Sequence, residues 1–329
     1  LRRFKHRNSD LVADFREILP VLWYINAAAT LLIQASNAMH SLFKTIALVG
    51  RLNTPSLGDP IRRLAALLES CDVKVLIEGK IAQEHEISAY QCVDRDHIGK
   101  LADLVIVLGG DGTMLSVARL LAPYRIPLMG INQGRLGFMT DIPLHEMEKS
   151  VPNILAGQFV PEERILLEAS VLREGKTINT SLAFNDVVFS RGSIGSMIEF
   201  EIFVDSQFVY SQRSDGLVVS TPTGSTAYAL ASGGPILHPS LPAITLVPIC
   251  PQSLSNRPIV VSENAQVEFL LTRGQDARVY FDNQSDFELQ EMDKVLIRRY
   301  TNSLRILHPH GYSYYDMLRA KLRWGEKLL

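Results

Sequence analysis

The sequence predicts an α/β domain built on a parallel sheet, followed by a second domain that is mostly β. Three observations carry this reading. Short apolar runs alternate with helical patterns from residue 43 to about 141. After about Pro152 strand-like runs follow one another, separated by turn residues. Within them Ile198, Phe200, Ile202 and Val204 alternate with Glu199, Glu201 and Phe203, the period of a half-buried sheet. The expected division is residues 39–145, completed by a C-terminal helix within 312–329, and residues 146–311.

In order along the first domain, the apolar runs predict strands at 43–49, 73–78, 104–110 and 127–132, with helices at 59–70 and 113–122. A parallel sheet of this kind binds ligands at the C-terminal ends of its strands. The second domain is expected to hold strands at 165–173, 181–191, 197–204, 217–220, 267–272 and 295–299, with Asp205, Ser206 and Gln207 as a hairpin connection. A final helix at 315–324 is expected to return and pack on the first domain.

Hydrophobic types make up 47% of the 329 residues and charged types 21%, enough apolar material for two cores. The 33 basic and 35 acidic side chains nearly cancel, which argues against nucleic acid or a polybasic membrane surface and favours a small-molecule partner. Cys71, Cys92 and Cys250 are odd in number and widely spaced, as in a reducing, cytoplasmic compartment, and read as core thiols. The apolar run 19–33 is interrupted by Asn26 and is shorter than the roughly 20 residues a bilayer span needs. Met39 directly precedes the first strong strand, so residues 1–38 are expected to be an upstream extension without function. An amphipathic helix that docks on a partner is the alternative.

Three segments could carry chemistry. Gly109-Gly110-Asp111-Gly112-Thr113 follows a buried strand and opens a helix, where glycines admit phosphate oxygens and free N–H groups face an anion. Its carboxylate suits a proton acceptor or the orientation of a metal ion, while the plainer reading is a tight turn. Gly130 to Phe138 is a second glycine-rich site, with Asn132 and Arg135 each readable as ligand-facing or as turn and surface residues. Arg213 to Tyr228 gathers Ser, Thr and Gly after a strand, which suits hydrogen bonding to a polar ligand or a capped helix following a strand. No G-x-x-x-x-G-K-[ST] or full G-x-G-x-x-G occurs, which excludes the P-loop and ordinary dinucleotide fingerprints.

Together GGDGTML, GINQGRLGF, SDGLVVSTPTGSTAYALASGGPILHP, PICPQSLSNRPIVV and YYDMLRAKLRWG resemble the bacterial NAD kinase family, in order and over essentially all of residues 43–326. GGDGT is shared with diacylglycerol and sphingosine kinases, and phosphofructokinases carry a similar GGDG, so the first domain is expected to be like theirs. The T-P-T-G-S-T-A-Y stretch is the specific part. A lipid kinase and a non-catalytic dinucleotide-binding regulator are the alternatives.

The resemblance implies phosphorylation of the adenosine 2′-hydroxyl of NAD by ATP, with polyphosphate as the other possible donor. Asp111 takes the role of general base, and Gly109, Gly110, Gly112 and Thr113 frame the phosphates. Asn185 and Asp186 clamp the adenine and ribose, and Thr223, Thr226, Ala227 and Tyr228 line the nucleotide pocket. Arg213 is expected near the 2′-position and Asp215 near the nicotinamide, with Gln284 a further contact. In Asp282-Asn283-Gln284 an Asn stands where the family has Gly, and Gln252 replaces a His; His238 before Pro reads as structural. Mg²⁺ is implied with ATP, without a tightly bound metal, and a homodimer or homotetramer is expected through the β domain.

Overall fold

Charge-free aliphatic runs become strands covered on both faces, and the first sheet follows from that rule. Strands β1 (Thr45–Gly50), β2 (Lys74–Glu78), β3 (Gln91–Val93), β4 (Leu104–Leu108) and β5 (Leu128–Asn132) run parallel in the order β3-β2-β1-β4-β5. On β1 the side chains of Ile46 and Leu48 enter one core, while Ala47 and Val49 enter another on the opposite face. Helix α1 (Gly58–Ser70) covers the first face with Ile61, Leu64, Ala65 and Leu68, a single stripe at helical spacing. Short helices α2 (Gly79–Glu84) and α3 (Ile98–Leu101) join the strands, and α4 (Asp111–Leu121) covers the second face with Met114, Val117, Ala118 and Leu121. The structure is a computed structural model that describes residues 41–134, 136–192 and 196–324. The expected extension at 1–38 and Arg135 lie outside the described residues.

Beyond the expected boundary at 145 the chain stays with this sheet. Strand β6 (Ile142–Pro143) pairs with β5, and α5 (Met147–Leu155) buries Met147, Val151, Ile154 and Leu155 in the core beneath α1. Strand β7 (Phe159–Arg164) also belongs to it.

The second domain is a sandwich of two antiparallel six-stranded sheets. Its strands are β8 (Leu167–Arg173), β9 (Lys176–Ala183), β10 (Asp186–Ser190), β11 (Ile198–Val204), β12 (Gln207–Ser214) and β13 (Gly216–Ser220). After helix α6 (Tyr228–Ala231) come β14 (Ala243–Ile249), β15 (Ile259–Ser262), β16 (Val267–Arg273), β17 (Arg278–Phe281), β18 (Ser285–Glu288) and β19 (Lys294–Arg299). The sheet orders are β12-β11-β16-β19-β8-β9 and β15-β14-β13-β10-β17-β18. Ile198, Phe200 and Ile202 point into the core between them, as their alternation predicts. There Phe269 stacks against Phe189 with ring centroids 3.7 Å apart and against Phe200 at 4.8 Å.

The chain then goes back. Strand β20 (Leu304–Pro309) inserts beside β5, parallel to it, and pairs antiparallel with β7 on its other side. Residues 147–164 and 304–309 therefore sit with the first domain, on the other side of the division drawn from sequence. Helix α7 (Tyr314–Leu322), one residue longer at its start than expected, is capped by Ser313 Oγ, which accepts from the Asp316 N–H at 3.3 Å. Its Tyr314 meets both domains, with its ring 6.3 Å from that of Phe138 and its hydroxyl donating to the Leu237 carbonyl at 3.2 Å.

Two local differences have physical causes. The run expected as one strand at 181–191 is two, β9 and β10, because the N–H groups of Phe184, Asn185 and Asp186 all donate to the Asp282 carboxylate. The cysteines are free, but Cys92 and Cys250 are exposed and do not sit in the core, Cys92 on the edge strand β3 and Cys250 in a turn with φ 44°.

Candidate active site

Helix α4 starts two residues earlier than expected because the Gly110 carbonyl accepts from the N–H groups of Thr113 and Met114, at 3.0 and 3.2 Å. The N–H groups of Asp111 and Gly112 are left at the open end of the helix, where anions are favoured. An added Cβ at Gly110 or Gly112 would meet nothing within 4 Å, so the protein's own packing does not require glycine there. Glycine at 109 is required, because a Cβ would press on the Thr113 side chain.

The Asp111 carboxylate is gripped by the glycine-rich loop after β5. Its Oδ2 accepts from the Phe138 N–H at 2.9 Å, and Oδ1 accepts from the Met139 N–H at 3.1 Å and the Thr140 hydroxyl at 3.3 Å. Gly137 is what allows this approach, since a Cβ there would collide with the carboxylate. Asn132 holds the loop from below. Buried, it donates from Nδ2 to the Thr140 carbonyl at 3.0 Å and accepts from the Gly134 N–H at 3.1 Å, so its role is internal.

Facing this helix from the second domain is the corner that separates β9 from β10. Asp282, 6% exposed, gathers the three N–H groups of residues 184–186 at 2.7–3.1 Å, and Arg119 of α4 lies 3.5 Å from its other oxygen. Arg119 also donates to the Phe281 carbonyl at 3.0 Å and to Gln284 Oε1 at 2.7 Å, while Gln284 Nε2 donates to the Gly112 carbonyl at 2.7 Å. Gln284, expected as a nucleotide contact, thus spends both ends of its amide in tying the domains together. The turn that carries it places Asp282 and Asn283 both at φ 53°, the left-handed region that Asn tolerates in place of Gly. Asp186 is 4% exposed, and burial first, with the Asp282 charge second, pushes its carboxyl up to about 7. The Asn185 side-chain oxygen is buried without a hydrogen-bond partner.

The segment from Arg213 to Tyr228 spends its threonine and serine hydroxyls within the protein. Thr221 Oγ1 donates to the Phe184 carbonyl at 2.7 Å and accepts from the Gly224 N–H at 3.2 Å; Ser225 Oγ donates to the Pro222 carbonyl at 2.6 Å. Those groups, with Ser220, are buried and fold the turn against Asn185. Thr226 Oγ1 donates to the Thr223 carbonyl at 3.3 Å, and Thr223 Oγ1 accepts from Arg164 at 3.2 Å. The small residues of α6 let it double back across the sheet, with Ala229 against Val188, Val218 and Val247. The Tyr228 ring is left 46% exposed, and burial, with the charges of Cys250, Asp215 and Asp186 around it, raises its hydroxyl pKa. Asp215 pairs with Arg191 at 3.0 Å. Arg213 lies 3.8 Å from Glu199 and lines a cleft of about 530 Å³ with Tyr210, Gln252 and Asn256. His238 is held in a turn by Ser240 at 2.8 Å, a structural place.

The region 46–159 matches the family described as ATP-NAD kinase N-terminal domain, and 184–308 matches ATP-NAD kinase C-terminal domain. The chain is 67% identical over 291 residues to the NAD kinase of Chromobacterium violaceum and 50% identical over 296 residues to that of Neisseria gonorrhoeae. Each comparison covers 88% of this chain and all of the relative. The chain belongs to the NAD kinase family. It is by that membership an ATP-dependent kinase of NAD. Among solved structures, the yeast NADH kinase complexed with NADH has the same fold at TM-score 0.79 and 23% identity, over 87% of this chain and 89% of the other. An NAD kinase from Archaeoglobus fulgidus in complex with ATP follows at TM-score 0.67 and 23% identity, over 85% and 98%.

In this NAD kinase fold, several organising residues escaped the sequence reading. Arg119 drew no role within the helix expected at 113–122, and Asp282 none beyond preceding Asn283. Arg164 and His308 fall outside every strand expected from the sequence, yet they lie on β7 and β20 and are 2% and 0% exposed. The available signal was a set of charges, in EERILLE and ILHP, set among aliphatic neighbours. Among the described residues no three His, Cys, Asp or Glu side chains gather into a metal-holding group, and no helix is long and apolar enough to cross a membrane.

Proposed function

We propose that Asp111 is the general base in the transfer of the γ-phosphoryl group of ATP to the adenosine 2′-hydroxyl of NAD, giving NADP and ADP. The observation that carries this is the state of its carboxylate. Three donors fix it at the open end of α4, two on Oδ1 and one on Oδ2. A carboxylate offers about four lone-pair positions, so a site on Oδ2 remains for the acceptor hydroxyl. As the oxygen–phosphorus bond forms, the hydroxyl proton passes to Asp111 and the bond from the γ-phosphorus to the β,γ-bridging oxygen breaks, leaving ADP.

The Asn185–Asp186 corner, held against α4 by Asp282, Arg119 and Gln284, takes the adenosine, and the exposed Tyr228 ring stacks on a base. The N–H groups at the start of α4 meet the donor's phosphates. Mg²⁺ carried in on ATP would neutralise phosphate charge beside the N–H groups at the start of α4. Arg213 and Asp215, near the cleft beside β12, are assigned to the 2′-position and the nicotinamide end. A cytoplasmic homo-oligomer completes the reading.

The test is product formation by the purified chain given ATP, Mg²⁺ and NAD, with diacylglycerol and sphingosine as competing acceptors and polyphosphate as an alternative donor. NADP without phospholipid is the expected result. Phosphorylated lipid without NADP would overturn it.

A further inference from the structure

Charged residues buried in the strands that close the first sheet form one continuous network. Glu162 and Arg164 lie on β7, and His308 lies on the neighbouring β20, one diagonal step from Glu162 in the register. Asp141 follows the loop that grips Asp111. His308 Nδ1 is 3.0 Å from Asp141 Oδ2, and Nε2 is 3.0 Å from Glu162 Oε2. That same Glu162 oxygen accepts from Arg164 Nη2 at 2.7 Å, and Arg164 Nη1 donates to Thr223 Oγ1 at 3.2 Å. The Tyr312 ring stacks on the imidazole with centroids 3.8 Å apart and planes 7° from parallel.

A carboxylate oxygen faces each ring nitrogen, an arrangement that favours an imidazolium donating from both, and these hydrogen bonds outweigh burial and raise the His308 pKa. The count of charges agrees, because Asp141 and Glu162 balance Arg164 and His308 only when the ring is protonated. An apolar set of similar volume would commonly serve stability as well or better than a buried ionic cluster. What the charges add is direction, and the two ends of the network are informative. One end is Asp141, adjacent to Thr140, whose hydroxyl holds the Asp111 carboxylate. The other is Thr223, at the head of the turn folded against Asn185.

We propose that Arg164 and His308 are positioning residues for phosphoryl transfer, setting the acceptor-binding turn at Thr223 in register with the loop that holds Asp111. Arg164 acts through Thr223 on acceptor binding. His308 acts through Asp141 on the placement of the base. The inference rests on the reading of Asp111 as base and Thr223 as part of the acceptor site.

The experiment is a double-mutant cycle in the full chain with Arg164→Met, Thr223→Val and both together. Arg164→Lys serves as a second route, because a single ammonium cannot bridge Glu162 and Thr223 as the guanidinium fork does. Steady-state kcat and KM for NAD, and NAD binding by titration calorimetry, are read on protein whose folding is checked by circular dichroism. Losing a hydrogen bond to a charged group should raise KM for NAD about ten-fold in either single variant, with kcat little changed and no further loss in the double. His308→Gln should show the opposite split, a lower kcat with KM largely kept. Folded Arg164 variants with wild-type KM, or effects that simply add to that of Thr223→Val, would overturn the proposal; if Arg164→Met does not fold, Arg164→Lys decides in the same cycle. A wild-type chain that makes no NADP would instead remove the underlying reading, so the two failures are told apart.

Discussion

Asp111 and Asp282 bind their surroundings in nearly the same way and serve opposite ends. Each carboxylate collects donors from a three-residue stretch of loop, 138–140 for one and 184–186 for the other. Asp282 is also approached by Arg119 and is closed off from solvent, so nothing of it is left for chemistry. Asp111 sits at the open end of a helix with part of one oxygen free. Both are well hydrogen-bonded, so the role proposed for Asp111 turns on the lone pair that Asp282 does not have to spare.

Neutralising each aspartate in turn separates the two roles. Asp111→Asn should lower kcat about a thousand-fold while NAD binding, followed by calorimetry, persists. An unchanged rate would remove Asp111 from the chemistry. Asp282→Asn should cost about 3 kcal/mol in urea unfolding, because an amide cannot accept from three N–H groups and an arginine, while kcat of the folded fraction falls far less. A folded fraction that lost as much activity as Asp111→Asn would show that Asp282 shares the chemistry.

A pH series sharpens the same contrast. Asp186 titrates at about 7 when folded and near the ordinary carboxylate value when unfolded. Between those values the native state holds a proton that the unfolded chain has lost, so stability should fall as pH rises from about 4 to about 7 and then level. Asp186→Asn should flatten that slope and stabilise the chain at pH 8 by an amount on the order of a few kcal/mol, while weakening NAD binding. His308 is separable from it. Burial opposes its charge, but hydrogen bonds to Asp141 and Glu162 win and raise its pKa, so its contribution is lost only as pH climbs through that raised value. His308→Gln should remove the alkaline loss and leave the Asp186 slope. The smallest effect is expected at the turn, where Asn283→Gly should change stability by no more than about 0.5 kcal/mol, since relieved backbone strain is offset by a freer unfolded chain.

Much of the first domain was legible because its signals are local. Helix α1 shows its buried stripe in thirteen consecutive residues, and the GGDGT turn lies directly between a strand and a helix. The hairpin at Asp205 and Ser206 was equally readable, since both residues take the positive φ their types tolerate, 49° and 65°. The rest depends on partners far away along the chain. Arg119 meets Gln284 165 residues later, and His308 meets Asp141 167 residues earlier. Nothing near residue 184 announces that a strand must break there, because the carboxylate that takes its N–H is 98 residues downstream. Motifs pointed to Asp111, Asn185 and the threonine turn; the charges that hold them in place became visible only through the tertiary structure.

Strand β20 gives the order of assembly an unusual turn. Synthesis on the ribosome runs from the N-terminus, and domains generally fold as they emerge. Yet the gap between β5 and β7 is filled by residues 304–309, which appear only after the whole sandwich has been made. Until then β5 lacks its neighbour at Leu128, and Asp141 lacks the His308 imidazole. The strands of the β domain are thus all made before the first sheet can be completed, and the last described strand is the one that completes it.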